Sequence, residues 1–217
     1  MLNTVIFDMD GLLIDSEPLW QKAGIDTLQM FGAEITLEQY YGTTGLRTPE
    51  WIEYWFHYFG IEKSYMEEAI KTIENKAIEH IRQDAVAFPG TGYIINFFRE
   101  RKFKIGLATS SPLRLVEVVV EKLGIAHLLD AVASAENLPL GKPHPQVYLN
   151  CAALLQVSPL QCVCFEDSFN GMIAAKAARM KCVAVPVPEQ YNAAKWGAAD
   201  FCLDSLLNFN DGILEKL

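Results

Sequence analysis

The sequence predicts an α/β fold, a Rossmann-like parallel sheet core carrying an inserted all-helical cap. Three observations predict it. From residue 84 onward short apolar runs alternate with helical patterns, the pattern of βαβ units and of a parallel sheet covered on both faces. One further apolar run, TVIF at 4–7, stands alone at the start and ends in the turn-type cluster DMDG at 8–11. Between these parts, residues 16–83 carry aromatics at helical spacing and few strand signals. The expected organisation is a core of residues 1–15 and 84–217 with a helical cap of residues 16–83.

TVIF is rich in β-branched residues and reads as a buried strand. In the cap, Thr36 and Gln39 have capping-box spacing. Thr48 followed by Pro49 reads as an N-cap and first helical position. Trp51, Trp55 and Phe59 recur every fourth residue as a packing stripe, with Gly60 as the stop. A further helix is expected over 64–82. In the core, helices are expected over 91–101, 112–123, 145–156 and 170–179. Ser111 is read as the N-cap of the second of these, and Gly124 lies just past its end. Strands are expected at 104–109, 131–135, 162–165 and 182–187.

The chain has 217 residues, 51% hydrophobic and 21% charged, an ordinary globular composition with a sizeable core. Its formal charge of −9 gives no electrostatic footprint for a nucleic-acid backbone or an anionic membrane. Five cysteines without a CxxC pair read as reduced, buried thiols. No segment reaches the ~18 uninterrupted apolar residues of a membrane span, and Met1-Leu2-Asn3-Thr4 leads directly into a strand rather than a signal peptide. A cytoplasmic monomer, with neither nucleic acid nor membrane as partner, is the expectation.

In open α/β sheets ligands bind beyond the carboxyl ends of the strands, so the polar residues there carry the chemistry. Four clusters qualify: Asp8-Met9-Asp10-Gly11, Thr109-Ser110-Ser111, Lys142 within GKPHP, and Glu166-Asp167-Ser168. Carboxylates brought together repel one another unless a cation joins them, and all-oxygen ligation suits Mg²⁺. A carboxylate can be a nucleophile, and a second one two residues along a general acid and then base. Lys142 and Thr109 can hold phosphate oxygens, and the helix beginning near Pro112 would aim N–H groups at the same anion. Ser168 and Asn170 read as helix starters, and His144, between two prolines, as structural.

FDMDGLLIDSE, LATSSP, GKPHPQVYL and FEDSFNGMIAAKAA, in this order, resemble the four motifs of the haloacid-dehalogenase-like (HAD) phosphohydrolases. The subgroup resembled has a helical cap after the first motif and includes beta-phosphoglucomutase. The resemblance implies Asp8 as nucleophile and magnesium ligand, and Asp10 as general acid/base lending its carbonyl to the metal. It implies Thr109, Lys142 and the Ser110 N–H as phosphoryl ligands. Asp167 would bind the metal, and Glu166 would do so directly or through water. Dehalogenases of the family lack a carboxylate at the position of Asp10. Its mutases carry a histidine where this chain has Trp20, which favours net hydrolysis by water. A non-catalytic phospho-metabolite binder would not need both Asp8 and Asp10.

MDGLLIDSEPLW, GLR, LPLGKPHPQVYL and FEDSFNGMIAAKAARM are similar to the bacterial hexitol or 2-deoxyglucose-6-phosphate phosphatases, implying a small sugar-phosphate ester as substrate. The stretch Thr43–Arg47 resembles the cap loop that reaches the substrate in such enzymes, so Arg47 is a candidate for the sugar or an outer phosphate. Trp20 either walls the site or packs in the cap. Hinges are expected at Leu13–Ser16 and Ala85–Pro89, where the chain crosses between cap and core.

Overall fold

The computed structural model describes residues 1–43 and 46–217. Six parallel strands form one sheet: β1 (Thr4–Phe7), β2 (Lys104–Thr109), β3 (Ala131–Ser134), β4 (Cys162–Glu166), β5 (Lys181–Ala184) and β6 (Phe201–Cys202), in the order β3-β2-β1-β4-β5-β6. The first five lie where the apolar runs predict them. β6 was not expected: two residues at a sheet edge are too short to show a period.

The register decides where the polar clusters meet. Phe7 lies opposite Leu107 on one side and Phe165 on the other, so β1 ends one residue short of β4 at Glu166 and two short of β2 at Thr109. The strand order reverses about β1, and the crevice above such a switch point is where open α/β sheets bind ligands. Asp8, Thr109 and Glu166-Asp167 stand at that crevice.

Alternation along β1 sorts the core. Val5 and Phe7 join one apolar cluster with Ile105, Leu107 and Val163. Ile6 joins the other with Ala108, Cys162 and Cys164. The helix α5 (Thr91–Glu100) and α6 (Leu113–Leu123) contribute to the first cluster; α7 (Gln146–Leu154) and α8 (Phe169–Ala177) contribute to the second. Fully buried side chains on both faces explain why the strands read as continuous apolar runs. Four of the five cysteines are buried and none is paired.

Between β1 and α5 the described residues hold helices and no strand: α1 (Glu17–Met30), α2 (Leu37–Tyr41), α3 (Thr48–Phe59) and α4 (Met66–Asp84). Thr36 and Gln39 make the expected capping box before α2. The buried stripe of α3 is Trp51, Ile52, Trp55 and Phe56, whereas Phe59 is exposed. The structure corrects the reading of Thr48 as N-cap: the cap is Arg47, Thr48 is already helical, and the Glu50 carboxylate accepts from the Arg47 amide at 3.1 Å. α4 buries Ala69, Ile73, Ala77 and Ile81 at four-residue spacing and packs against α1 and α3.

The two crossings are joined to each other. The Asp15 amide donates to the Val86 carbonyl at 2.9 Å and the Phe88 amide to the Leu13 carbonyl at 3.1 Å, with Ile14 and Ala87 forming an antiparallel bridge. Among the described residues no helix is long and apolar enough to cross a membrane.

Candidate active site

Asp8 follows the last residue of β1, its amide tied to the Phe165 carbonyl at 3.0 Å. Its carboxylate is buried at the floor of a cleft. Lys142, in the loop before α7, reaches this floor and places Nζ 2.5 Å from Asp8 Oδ1, 2.6 Å from Glu166 Oε1 and 3.1 Å from the Ala108 carbonyl. All three protons of the ammonium are engaged. Burial works against that charge, but Asp8 and Glu166 outweigh it and raise the Lys142 pKa. Burial pushes the Asp8 carboxyl up, Lys142 pulls it down, and Glu166 and Asp10 add to the rise. Asp8 Oδ2 accepts no hydrogen bond among the described residues.

Glu166 ends β4 and is fully buried. Its Oε1 accepts from Lys142 and from the Tyr148 hydroxyl at 2.5 Å. Its Oε2 accepts from the Ser168 amide at 3.3 Å and hydroxyl at 3.0 Å. Both oxygens are therefore taken. The carboxylate lies so close over the start of α8 that a Cβ on Gly171 would overlap it. Ser168 also caps α8, accepting from the Gly171 amide at 3.1 Å, as the sequence suggested.

Asp167 points the other way. Its half-buried carboxylate accepts no hydrogen bond among the described residues. Burial, then Asp8 and Glu166, push its pKa well up. It lies against the DMDG turn, where Gly11 has φ +77° and a Cβ would collide with the Asp167 carboxyl. Both the left-handed backbone and the close approach call for glycine there.

Asp8, Glu166 and Asp167 each bring a carboxylate oxygen within 4.8 Å of the others. Lys142 bonds Asp8 and Glu166 but not Asp167, so the three carboxyl groups have a single ammonium among them and a further cation would favour their ionised forms. An all-oxygen donor set, an unsatisfied carboxylate and that shortage of positive charge fit a hard divalent cation such as Mg²⁺.

Asp10 faces the cleft from the opposite side. Its Oδ1 accepts from Ser16 Oγ at 2.6 Å and Trp20 Nε1 at 3.1 Å, and its Oδ2 accepts from Ser111 Oγ at 2.7 Å. This overturns the reading of Ser111 as a mere N-cap. The cap of α6 is Pro112, and the Ser111 hydroxyl reaches Asp10. Trp20 walls the site and bonds it. The Leu113 amide in the first turn of α6 donates to Glu136 at 3.1 Å, so the anion-binding turn expected there is partly spent on a surface carboxylate. Thr109 is buried at the end of β2, its hydroxyl accepting from the Ser111 amide at 3.0 Å. The neighbouring Ser110 hydroxyl is buried without a partner among the described residues.

The same cleft, about 100 Å³ of cavity, is roofed by Glu17, Trp20, Tyr40, Thr43, Arg47 and Trp51. Arg47, expected as a ligand for the sugar or an outer phosphate, lines the cleft, with its Nε buried and without a partner among the described residues and its terminal nitrogens engaged. Its NH1 donates to the carbonyls of Ala135 at 3.0 Å and Leu138 at 2.5 Å, and its NH2 to Pro139 at 3.2 Å and Glu50 at 2.6 Å. Arg47 thus ties the start of α3 to the 135–139 loop through its planar fork of donors. Thr44 and Gly45 of the expected substrate loop lie outside the described residues. His144 is exposed in a turn, its ring accepting from the Gln146 amide at 3.3 Å. Tyr148 and Ser16 were missed by the sequence reading. No short-range signal marks a tyrosine whose partner is eighteen residues away on another element, although Ser16 could have been suspected from its place beside the first motif.

The family described as haloacid dehalogenase-like hydrolase matches residues 5–185. Hexitol phosphatase B of Escherichia coli (strain K12) is 43% identical over 202 residues, which is 93% of this chain and 91% of that protein. The fructose-1-phosphate phosphatase of the same strain is 30% identical over 190 residues, 83% of this chain and 95% of its own length. The crystal structure of beta-phosphoglucomutase from Clostridium difficile superposes with a TM-score of 0.88 at 24% identity, covering 100% of this chain and 97% of that one, and so shares the fold. With its motifs gathered at one crevice and a family match across most of its length, the chain belongs to the haloacid dehalogenase-like hydrolases.

Proposed function

We propose that this chain is a phosphatase of small sugar or sugar-alcohol monophosphates, such as hexitol phosphates or 2-deoxyglucose 6-phosphate, acting through a phosphoryl-aspartate at Asp8. The observation that carries the reading is Asp8 itself. It is a buried carboxylate with one oxygen held by Lys142 and the other open to a cleft that also contains Asp10. Hexitol phosphatase B and the fructose-1-phosphate phosphatase support the substrate class.

The residues divide the work. Thr109 and the Ser110 N–H hold phosphoryl oxygens and set the phosphorus in line with Asp8 Oδ2, and Lys142 holds Asp8 Oδ1 and binds a phosphoryl oxygen by exchanging it for one of its present acceptors, Glu166 or the Ala108 carbonyl. Asp8 Oδ2 attacks phosphorus as the ester oxygen leaves with a proton from Asp10. Water then attacks the phosphoryl group, gives its proton to Asp10, and frees Asp8 and inorganic phosphate. Asp8, Asp167 and the Asp10 carbonyl would hold Mg²⁺, which when bound offsets the negative charge of cluster and phosphoryl. Glu166, with both oxygens occupied, acts by fixing Lys142 and would meet the metal through water. Trp20 disfavours mutase chemistry, because an indole N–H only donates and cannot relay a proton.

In this reading residues 1–15 and 84–217 form the catalytic core, and residues 16–83 form a cap that closes over the substrate about the paired crossings. The cap excludes bulk water and chooses the sugar. The enzyme works as a cytoplasmic monomer on a small-molecule ester, without nucleic acid or membrane. The test is phosphate release from a panel of sugar phosphates by wild type and Asp8→Asn, with Mg²⁺ and with EDTA. Release that needs Mg²⁺, is lost in Asp8→Asn and favours hexose or hexitol phosphates is expected. A clear preference for nucleotides, or full activity of Asp8→Asn, would overturn it.

A further inference from the structure

Lys142 is placed by the loop that precedes it. Residues 135–141 run from the end of β3 to Lys142, and their start is tied to the core. The Ala135 amide donates to the Thr109 carbonyl at 2.9 Å, and Ser134 Oγ, at the end of β3, donates to the Ser111 carbonyl at 2.6 Å. Next to Lys142 the partner is α3. The amide of the buried Gly141 donates to Glu50 Oε1 at 3.2 Å. The same oxygen accepts from Arg47 NH2 at 2.6 Å, and Glu50 Oε2 accepts from the Arg47 amide at 3.1 Å.

Glu50 therefore joins a guanidinium on its own helix to a backbone amide of the loop, and hydrogen bonds to an ionised carboxylate are stronger than neutral ones. Burial raises the Glu50 carboxyl, but the hydrogen bonds from Arg47 and the Gly141 amide outweigh it and hold it below its ordinary value. Position 141 fits this contact. Its backbone is not left-handed, so conformation does not call for glycine there. Space does: a Cβ would stand 2.8 Å from Arg47 Nε, 2.9 Å from its Cγ and 3.0 Å from its Cδ. The Arg47 side chain can lie across the loop only because residue 141 has no side chain. One peptide further on, Lys142 must bring Nζ within 2.5 Å of Asp8 and 2.6 Å of Glu166. A shift of Gly141 passes directly into that residue.

We infer that Glu50 is a positioning residue for Lys142: by holding Gly141 and Arg47 together it fixes, from α3, the backbone that carries the Lys142 ammonium. The inference rests on the phosphatase reading, in which Lys142 binds the phosphoryl group. It gives the cap a task besides covering the substrate. With α3 seated on the 135–141 loop, Lys142 stands in place for phosphoryl transfer. With α3 withdrawn, the loop loses both the acceptor at Gly141 and the fork of Arg47.

The experiment compares wild type, Glu50→Ala, Glu50→Gln, Gly141→Ala and the double variant Glu50→Ala/Gly141→Ala. Glu53→Ala, which breaks an exposed pair with Lys63 on the same helix, is the control and should turn over as wild type does. The substrates are sorbitol 6-phosphate and acetyl phosphate, which has no polyol for a cap to recognise. Urea unfolding of each variant gives its folded fraction, and kcat is expressed per folded enzyme. Glu50→Ala is expected to lower kcat roughly 10- to 100-fold on both substrates alike, the scale of a misplacement of about 1 Å, with KM changing less. Gly141→Ala displaces Arg47 and should lower kcat on both substrates in the same way. The double variant should fall no further than the more damaged single one. Glu50→Gln keeps Oε1 as an acceptor and should recover part of the loss. A fall on sorbitol 6-phosphate alone, a lowered urea midpoint with kcat unchanged, or strict additivity in the double variant would overturn the inference and leave the phosphatase reading standing. A wild type that releases phosphate from neither substrate would overturn that reading, and the inference with it.

Discussion

Replacing Lys142 by methionine would keep much of the side-chain volume and remove the ammonium that Asp8, Glu166 and the Ala108 carbonyl share. Lys142 and Glu166 are almost wholly inaccessible, so water cannot substitute for the lost donor. Two buried carboxyl groups would then face each other with no positive charge between them, and Asp8, which Lys142 holds down, would be pushed further towards its protonated form. Removing one partner of a buried ion pair costs about 3–5 kcal/mol. Against a total stability of roughly 5–15 kcal/mol, that is a large share. For a chain of this size it corresponds to a fall in Tm of roughly 6–20 °C. Neutralising Glu166 in the same molecule removes half of the repulsion. Lys142→Met/Glu166→Gln should therefore cost about 1–3 kcal/mol less than the sum of the single variants. The assay is urea unfolding of wild type, both singles and the double at pH 7 in EDTA, which removes any cation that could stand in for Lys142. A Lys142→Met cost below about 1 kcal/mol, or strict additivity across the cycle, would refute the shared-ammonium account.

Two further outcomes follow from the same cluster. The carboxyls of Asp8 and Glu17 are raised to about 8 and about 7, and Asp167 well above its ordinary value. In the window from the unfolded values, near 4, up to about 8, the folded state therefore binds more protons than the unfolded one. Stability in EDTA should fall across that window as pH rises, on the order of a few kcal/mol, and Mg²⁺ should raise Tm more at pH 8 than at pH 5. Thermal melts at the two pH values check both, and stability in EDTA that climbs across the window would contradict the linkage. Gly171→Ala gains up to about 1 kcal/mol of helix propensity, but its methyl overlaps Glu166. The carboxylate must move and take Lys142 and Tyr148 with it. A net loss of about 1–3 kcal/mol and lower phosphatase activity are expected, checked by urea melts and turnover; a stabilised, fully active variant would contradict the packing.

Much of this architecture was legible because it rests on local signals. β1 ends where TVIF meets Asp8, β2 spans KIGLAT, and Thr36 and Gln39 cap each other as their spacing requires. Residues answering to long-range partners were less so. Ser111 looks like an N-cap beside Pro112, yet its hydroxyl serves Asp10, 101 positions away. Arg47 looks like a free ligand in a loop, yet the carbonyls it meets lie 88 to 92 residues on. Tyr148 reads as an ordinary core position of α7 until the fold sets Glu166 above it. Propensity and periodicity report on neighbours within a turn or two, and none of these partners is that near.

The central claim is that the phosphoryl group passes through Asp8. The direct measurement is rapid acid quench of turnover with a labelled hexitol phosphate, followed by borohydride reduction and peptide mapping. A phosphorylated aspartate is reduced to homoserine, so homoserine at position 8, formed only when substrate and Mg²⁺ are both present, is the expected result. Label on another residue, or steady turnover with no labelled protein and no homoserine at position 8, would contradict the account.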